Sequence, residues 1–565
     1  MAKTTISNTR ISLIDKNRVN FLILLNFGGM RLIFHGVLFT AKKGMTMDDN
    51  SALILTLDFG TQSVRACIFD RKGNLLAGEK ESYDPAYVSP KPGWAEQDPD
   101  YYFECLGKAV KRLTAKNANL VPFIAGITQT CFRDSAVLLD RNRRPVRPMI
   151  LWLDQRTAKC KEPLPWSSRF LFALVGKTET IHLNRIRTVA NWVIENEPEN
   201  WAKTDKYVAV STYFLYRLTG MLRDCPSDFT GHYPINYSKK AWYPDPMKHF
   251  QARIFSVRKD QLCELVPSQS QIGKLTNEAA SLLGLPAGIP VFAAGSDKSC
   301  ETLGTGVVDG SVASVSFGTA CTIEALTKKY ISPFPFLPAY PSVLPDYYNL
   351  DLQIYRGYWM LNWFLKEFGA TQVKEMMSDE LTPNVFNEHL KDVPPGCDGL
   401  ILQPYWGSEL EKPEVRGTII GFSDMTTRFH VYRAILEGID YELRFGMERF
   451  EKLLQTEFEE IRVSGGGSNS DEVCQIAADI LGKKVVKVQT NENSSLGAAI
   501  SGFLSIGVFK DAKEAVEEMV HPAKEFMPRP EEKATYDKLY KNVYLKLYPK
   551  LKDELKYLYH YSKRE

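Results

Sequence analysis

The chain has 565 residues, of which 44% are hydrophobic and 24% charged, the composition of an ordinary globular protein. That length exceeds what a single hydrophobic core supports and predicts two large domains. Its 70 basic and 67 acidic residues leave a net charge of +3 with no long basic run, which argues against nucleic acid as a partner. The 10 cysteines form no C-x-x-C pair and no His-spaced set. In a chain this large they predict free thiols in a reducing cytoplasmic setting rather than a structural zinc site.

Val19 to Phe39 is apolar enough to suggest a membrane segment, but Arg31 and His35 interrupt it and each is costly inside a bilayer. It resembles neither a clean spanning helix nor a signal peptide, and no membrane partner is expected. Lys42-Lys43-Gly44 lies just ahead of Met45 and Met47 and is compatible with a ribosome-binding site in the coding strand. Residues 1–50 are therefore expected to be a poorly ordered extension or a start-site artefact, with Met47 the natural start.

From Ser51 the pattern reads strand, turn, strand. Leu53-Ile54-Leu55-Thr56-Leu57 runs into Asp58-Phe59-Gly60-Thr61-Gln62-Ser63, a second strand reaches Asp70, and a third follows the Gly73 turn to about Tyr83. An apolar strand ending in an acidic residue and a glycine-hydroxyl turn is a phosphate cradle. Gly60 permits close approach of the backbone, the hydroxyls of Thr61 and Ser63 donate hydrogen bonds, and Asp58 can hold a divalent cation through water. An ordinary hairpin turn is the competing reading. Helical spacing follows over Tyr101 to Ala115, then strands at Ile124–Thr130 and Ser135–Asp140, and a mostly helical stretch from Trp152 to about Leu285. Alternation of this kind indicates an α/β fold.

A short apolar strand, Ile289–Ala294, ends in Gly295-Ser296-Asp297-Lys298, and a domain boundary is expected after Gly304-Thr305-Gly306. The sequence then opens again in the same way, with Val312 to Phe317 running into Gly318-Thr319-Ala320, a second phosphate turn and a coarse internal duplication. Ser332 to Pro345 is proline-rich and reads as an irregular loop. A third cluster, Ser464-Gly465-Gly466-Gly467-Ser468-Asn469-Ser470, joins a strand to a helix at Asp471–Leu481, an arrangement suited to a nucleotide. None of the three turns is a Walker loop or a dinucleotide fingerprint. The stripe Tyr540, Tyr544, Leu547, Leu551, Leu555 and Leu558 near the C-terminus reads as core packing.

Four positions offer chemistry. Asp297, at a strand end, can take the proton from a substrate hydroxyl attacking a γ-phosphate; the competing reading is a helix N-cap. Arg133 and Asp134 follow a buried strand and present donors and acceptors together, as a polyhydroxylated ligand requires, or form a surface ion pair. Trp152 can cover the apolar face of a sugar or belong to the core.

Taken in order, Asp58-Phe59-Gly60-Thr61, Gly93 to Pro99, Ile150 to Arg156, Arg217 to Gly220, Gly295-Ser296-Asp297, Ser316-Phe317-Gly318-Thr319, Gly417 to Glu437, Ser464 to Gly467 and Leu496-Gly497-Ala498-Ala499 resemble the FGGY carbohydrate kinases. The resemblance covers Leu53 to the C-terminus. It implies two ribonuclease-H-like domains of the actin and hexokinase architecture around a central cleft: 51–304 for sugar and catalytic base, 305–565 for nucleotide. It also implies transfer of the ATP γ-phosphate to a hydroxyl of a small sugar or polyol, of the pentulose or polyol class. Asp297 would be the base, and Asp58 and Asp297 would lie near a water-coordinated Mg2+. Gly60, Thr61, Gln62, Ser63, Gly318 and Thr319 would hold phosphates; Gly465, Gly466, Ser470 and Asn362 would lie beside the adenosine. Arg133, Asp134, Trp152, Asp297 and Lys298 would meet the substrate, and a homodimer is allowed.

The chain departs from the family pattern at Lys298, where Gln or Asn is frequent. Lys298 is therefore expected to meet a carboxylate or an extra hydroxyl. Val189 and Phe422 depart from the signature segments, and Arg133-Asp134 replaces the Met-His pair of xylulokinase-like members. A non-catalytic ATP-binding regulator of the same fold is the alternative from another class, and the retained Asp297 argues against it.

Overall fold

A computed structural model describes residues 11–15, 18–27, 30–39, 51–334, 337–369, 383–407, 412 and 414–562. Within the first fifty, expected to lack order, Ile11–Asp15, Arg18–Phe27 and Met30–Phe39 pair as a separate antiparallel three-stranded sheet. Runs rich in Ile, Val, Leu and Phe favour extended backbone, which is the physical reason strands form there.

The body from Leu53 onward is built on two sheets of the same plan. In the first, Leu53–Phe59, Ser63–Phe69 and Leu75–Ser82 form an antiparallel meander. Ile124–Cys131 then pairs parallel with Leu53–Phe59, Pro290–Ser296 pairs parallel beyond it, and Gln271–Lys274 closes the edge. In the second, Val312–Phe317, Cys321–Thr327 and Tyr348–Ile354 form the meander. Glu460–Ser464 and Lys484–Val488 continue it in parallel, and Pro522–Phe526 closes that edge. A three-stranded meander extended by two parallel strands is the ribonuclease-H-like plan, present twice, as the duplicated openings predict. All seven residues of Leu53–Phe59 are buried, as a strand covered on both faces must be.

The two halves interlock. Helix Asp297–Gly304 ends the first, yet helix Asn493–Ser505, which follows the second sheet's parallel strands, packs on Leu53–Phe59 and Ile124–Cys131 of the first. These two helices also pack on each other, and glycines make the contact possible. A Cβ at Gly497 would lie 1.8 Å from the Cys300 carbonyl oxygen, and one at Gly304 1.9 Å from that of Asn493. We expect Gly497→Val to destabilise the protein by on the order of 3 kcal/mol, since neither backbone can yield without moving a sheet. A thermal melt checks it, and an unchanged midpoint would contradict this packing.

Two expectations about elements need correction or refinement, and one long helix was not expected. The stretch from Trp152 to Leu285 is helical only in part. Between Gly220 and Thr276 it consists of short strands and single turns, because Gly220, Pro226, Gly231, Pro234, Pro244, Pro246 and Pro267 break any helix. The 27-residue helix Arg428–Leu454 lacks the one-sided apolar stripe of a surface helix, being buried on nearly every face from Tyr432 to Met447. Its charges are held inside: Arg433 Nε donates to Glu437 Oε1 at 2.8 Å, and so does the hydroxyl of Tyr536, also at 2.8 Å. The C-terminal stripe is core as expected at Tyr540, Tyr544, Leu547 and Leu555, whereas Leu558 is exposed. A single π turn at Tyr540–Tyr544 shifts the helix phase between Pro530–Leu539 and Leu545–Tyr561. No helix among the described residues is long and apolar enough to cross a membrane.

Candidate active site

Strand register brings the candidate residues to one edge. Phe59, Cys131 and Ser296 stand side by side at the carboxyl ends of their strands, which places Asp58, Arg133-Asp134 and Asp297 together. In the second sheet Ser316 pairs with Ser464, placing Gly318 beside Gly465. Crevices outside the carboxyl ends of such strands are where α/β folds bind ligands.

Asp58 is buried and pairs across the hairpin with Arg65, whose guanidinium approaches to 3.2 Å. Burial outweighs that partner and, with Glu492 and Asp297 nearby, pushes the Asp58 carboxyl up to about 7. Arg65 also reaches Glu492 of the second half at 3.3 Å. The turn beyond Asp58 is closed by the Gly60 N–H donating to the Ser63 carbonyl at 3.0 Å. Ser63 is buried, Thr61 half-buried and Gln62 exposed. Trp152 is neither core nor unattached: it is 39% exposed, and its indole N–H donates to the Thr61 hydroxyl at 3.0 Å.

The helix-cap reading of Asp297 does not hold, because the hydroxyl of Ser296 caps the helix and accepts from the Ser299 N–H. Asp297 occupies the first helical position, with Oδ1 accepting from the Lys298 N–H at 2.8 Å. Burial raises its carboxyl above the ordinary range, against the opposing pull of Arg133 and Lys298. An acid so placed is a poised proton acceptor.

Lys298 is committed elsewhere. Its ammonium donates to Glu301 Oε2 at 2.7 Å and to the Ser316 hydroxyl at 2.9 Å. Glu301 Oε1 accepts from Ser316 and Ser464 at 2.8 and 2.6 Å, so the helix carrying Asp297 is fastened to both strands that lead into the second pair of glycine turns. These contacts hold the Glu301 carboxyl below the usual range despite burial.

Arg133 and Asp134 separate. Both terminal nitrogens of Arg133 reach Asp351 Oδ2 of the second half at 3.3 Å. Asp134, in the left-handed region with φ 58°, accepts instead from the N–H of His232 at 3.1 Å and pairs with its Nδ1 at 2.8 Å. The Arg133-Asp134 surface ion pair is thus replaced by two separate contacts.

In the glycine cluster of the second half, Gly465 has φ 81°, and a Cβ there would meet Phe317 at 2.8 Å, so the third glycine turn lies directly on the second. The Gly318 and Thr319 carbonyls accept from the Tyr358 and Trp359 N–H groups at 3.1 and 3.3 Å. Gly466 faces open space, and Ser470 caps helix Asp471–Leu481. Asn362 is exposed on helix Trp359–Phe368. A cavity of about 660 Å³ lined by Asp98, Arg143, Arg147 and Arg217 includes none of these residues.

Sequence reasoning missed Glu301, Asp351, Glu492 and His232. Glu301 lies one turn along the helix that carries Asp297, whereas Asp351 and Glu492 are single acidic residues that only the packing of the two halves brings to the site.

Two ribonuclease-H-like halves joined through Arg65–Glu492, Arg133–Asp351 and Glu301–Ser464, with a raised carboxyl among these contacts, have the two-domain actin and hexokinase architecture. The chain belongs to the FGGY family of carbohydrate kinases: the family's N-terminal domain matches residues 53–304 and its C-terminal domain residues 313–506. It is 29% identical over 494 residues to the xylulose kinase of Lactococcus lactis, covering 86% of this chain and 95% of that one. It is 24% identical to a gluconokinase of Bacillus licheniformis, over 86% and 94% of the two chains. Among solved structures it resembles a gluconate kinase from Lactobacillus acidophilus with a TM-score of 0.74 at 23% identity, covering 88% of this chain and 98% of that one. A xylulose kinase from Rhodospirillum rubrum gives 0.74 at 23%, covering 89% and 99%. The protein is accordingly an ATP-dependent kinase acting on an alcohol group of a sugar or sugar alcohol.

Proposed function

We propose that the protein phosphorylates a small pentulose or polyol, as its xylulose kinase relatives suggest, with Asp297 as general base. The observation that carries this reading is Asp297 itself, released from helix capping, raised by burial and set among the strand ends. Its carboxylate takes the proton of the substrate hydroxyl as the oxygen bonds to the γ-phosphorus and the bond to ADP breaks. The turns Gly60 to Ser63 and Gly318-Thr319 hold the phosphates from the two halves, and Trp152 fixes Thr61. Residues 51–304 carry the sugar site and base, and 305–565 the nucleotide, with Gly465, Gly466, Ser470 and Asn362 on the adenosine side.

The residues fit a divalent cation: a buried Asp58 raised to about 7 beside Asp297 is an acid pair that a cation would stabilise in its ionised form. Asp58 and Asp297 would hold Mg2+ through water, and the ion would neutralise charge on the transferring phosphates. A cytoplasmic location agrees with ten free cysteines.

Coupled ADP release with magnesium, run against glycerol, pentitols, pentuloses and hexuloses, tests the reading; one strong substrate is expected. For Arg133→Ala we expect the KM for that substrate to rise roughly 10- to 100-fold, the worth of one charge-assisted contact, with the KM for ATP preserved. Equal loss of both would remove Arg133 from the substrate side.

A further inference from the structure

We propose that Asp351, on the opposite half from the base, is a positioning residue that makes this site select an uncharged polyhydroxy substrate and reject an acid such as an aldonate. The inference rests on the kinase reading above and adds to it the residue that sets the substrate's charge.

The cations beside Asp297 are both taken. Lys298 is bound by Glu301, as described, and Arg133 by Asp351, which is only 7% exposed at its side chain. A free guanidinium at position 133 would be a ready fork for a carboxylate, able to grip both of its oxygens. Here two nitrogens of that fork already converge on Asp351 Oδ2. Lys298 and Arg133 are thus each matched by a carboxylate of the protein, and neither is left to pair with a carboxylate of the substrate. Glu324 points the same way: burial and the neighbouring Asp351 push its carboxyl up to about 8, so a further negative charge is resisted here.

Neutral hydroxyls meet no such penalty, and several buried polar atoms here lack a partner. The hydroxyl of Tyr237, Oδ1 of Asn349 and Oδ1 of Asp351 are all buried without a hydrogen bond. Tyr237 packs edge-on against Tyr340, and the guanidinium of Arg133 lies over the Tyr340 ring at 5.9 Å. Unpaired donors and acceptors beside a neutralised cation are chemistry for a polyol, which both donates and accepts at each hydroxyl-bearing carbon. Asp351 acts through Arg133: it draws the guanidinium across the gap between the halves, so that Arg133 offers the substrate its remaining N–H groups rather than its charge.

The test is the kinase assay with D-gluconate and with D-xylulose, xylitol and glycerol as neutral probes, on wild type, Asp351→Asn and Asp351→Glu. Wild type is expected to use a neutral probe and to leave gluconate at background. Asp351→Asn is expected to raise the gluconate-to-neutral ratio of kcat/KM at least 10-fold and to raise the neutral substrate's KM several-fold, with the KM for ATP unchanged. Asp351→Glu, which keeps the charge, is expected to restore the discrimination. An unchanged ratio in Asp351→Asn with Asp351→Glu folded and active overturns the proposal alone, and a preference of wild type for gluconate overturns it together with the pentulose or polyol assignment while leaving the kinase reaction standing. Absence of ADP release with every probe, with ATP binding intact, overturns the kinase reading and this inference with it.

Discussion

Asp297→Ala is expected to lower kcat by about 10³- to 10⁴-fold while leaving ATP binding intact, the loss that follows removal of a general base with its surroundings preserved. The side chain accepts one internal hydrogen bond, from the adjacent N–H, and helix capping belongs to Ser296, so truncation should not unfold the helix. Steady-state kinetics with nucleotide binding by titration calorimetry separates the two effects. Near-normal turnover would remove Asp297 from the chemistry. The pH profile adds a signed expectation. The base must be ionised to work, and its carboxyl is raised in the folded protein, so kcat/KM should fall as pH drops through a value above the ordinary 3.8 of an aspartate.

The second large effect is at Asp58. Asp58→Asn is expected to reduce kcat about 10²- to 10³-fold through loss of the charge that would hold the cation. Its effect on stability should run the other way. The folded carboxyl lies at about 7 against 3.8 in the free residue, so between those values the folded state holds a proton that the unfolded state has lost. Stability contributed by the protonated form is complete below pH 3.8 and is lost as pH rises toward 7, a difference of about 4 kcal/mol at most. The ligand-free Asn variant, which has no charge to desolvate, should therefore melt higher than wild type at pH 8 and not at pH 4. Equal melting at both values would contradict a burial cost at Asp58 that exceeds what Arg65 returns.

Much of this site was legible because its elements are local. Asp58 through Ser63 and Ser316 through Thr319 each carry a strand, a turn and their polar groups within a dozen residues, and the sheets place them as the pattern implies. Asp297 was legible as an acid at a strand end, although its release from capping depended on Ser296 taking that role. What local sequence could not show is the contact between the halves. Arg133 stands 218 positions from Asp351, and Glu301 163 positions from Ser464, and nothing in either neighbourhood signals the other. Lys298, expected to face the substrate, is paired with a glutamate one helical turn away on its own helix, a local contact; only its bond to Ser316 depends on the fold. Helix Arg428–Leu454 escaped notice because its charges are buried in pairs, which removes the polar face that periodicity detects.

The most direct test of the account is to follow the γ-phosphate itself: ATP labelled at that position, with magnesium and the neutral substrate found in the assay panel, using wild type and Asp297→Ala. Label is expected on the sugar or polyol with wild type and none with the variant. Label appearing as inorganic phosphate, or transfer undiminished in the variant, would contradict it.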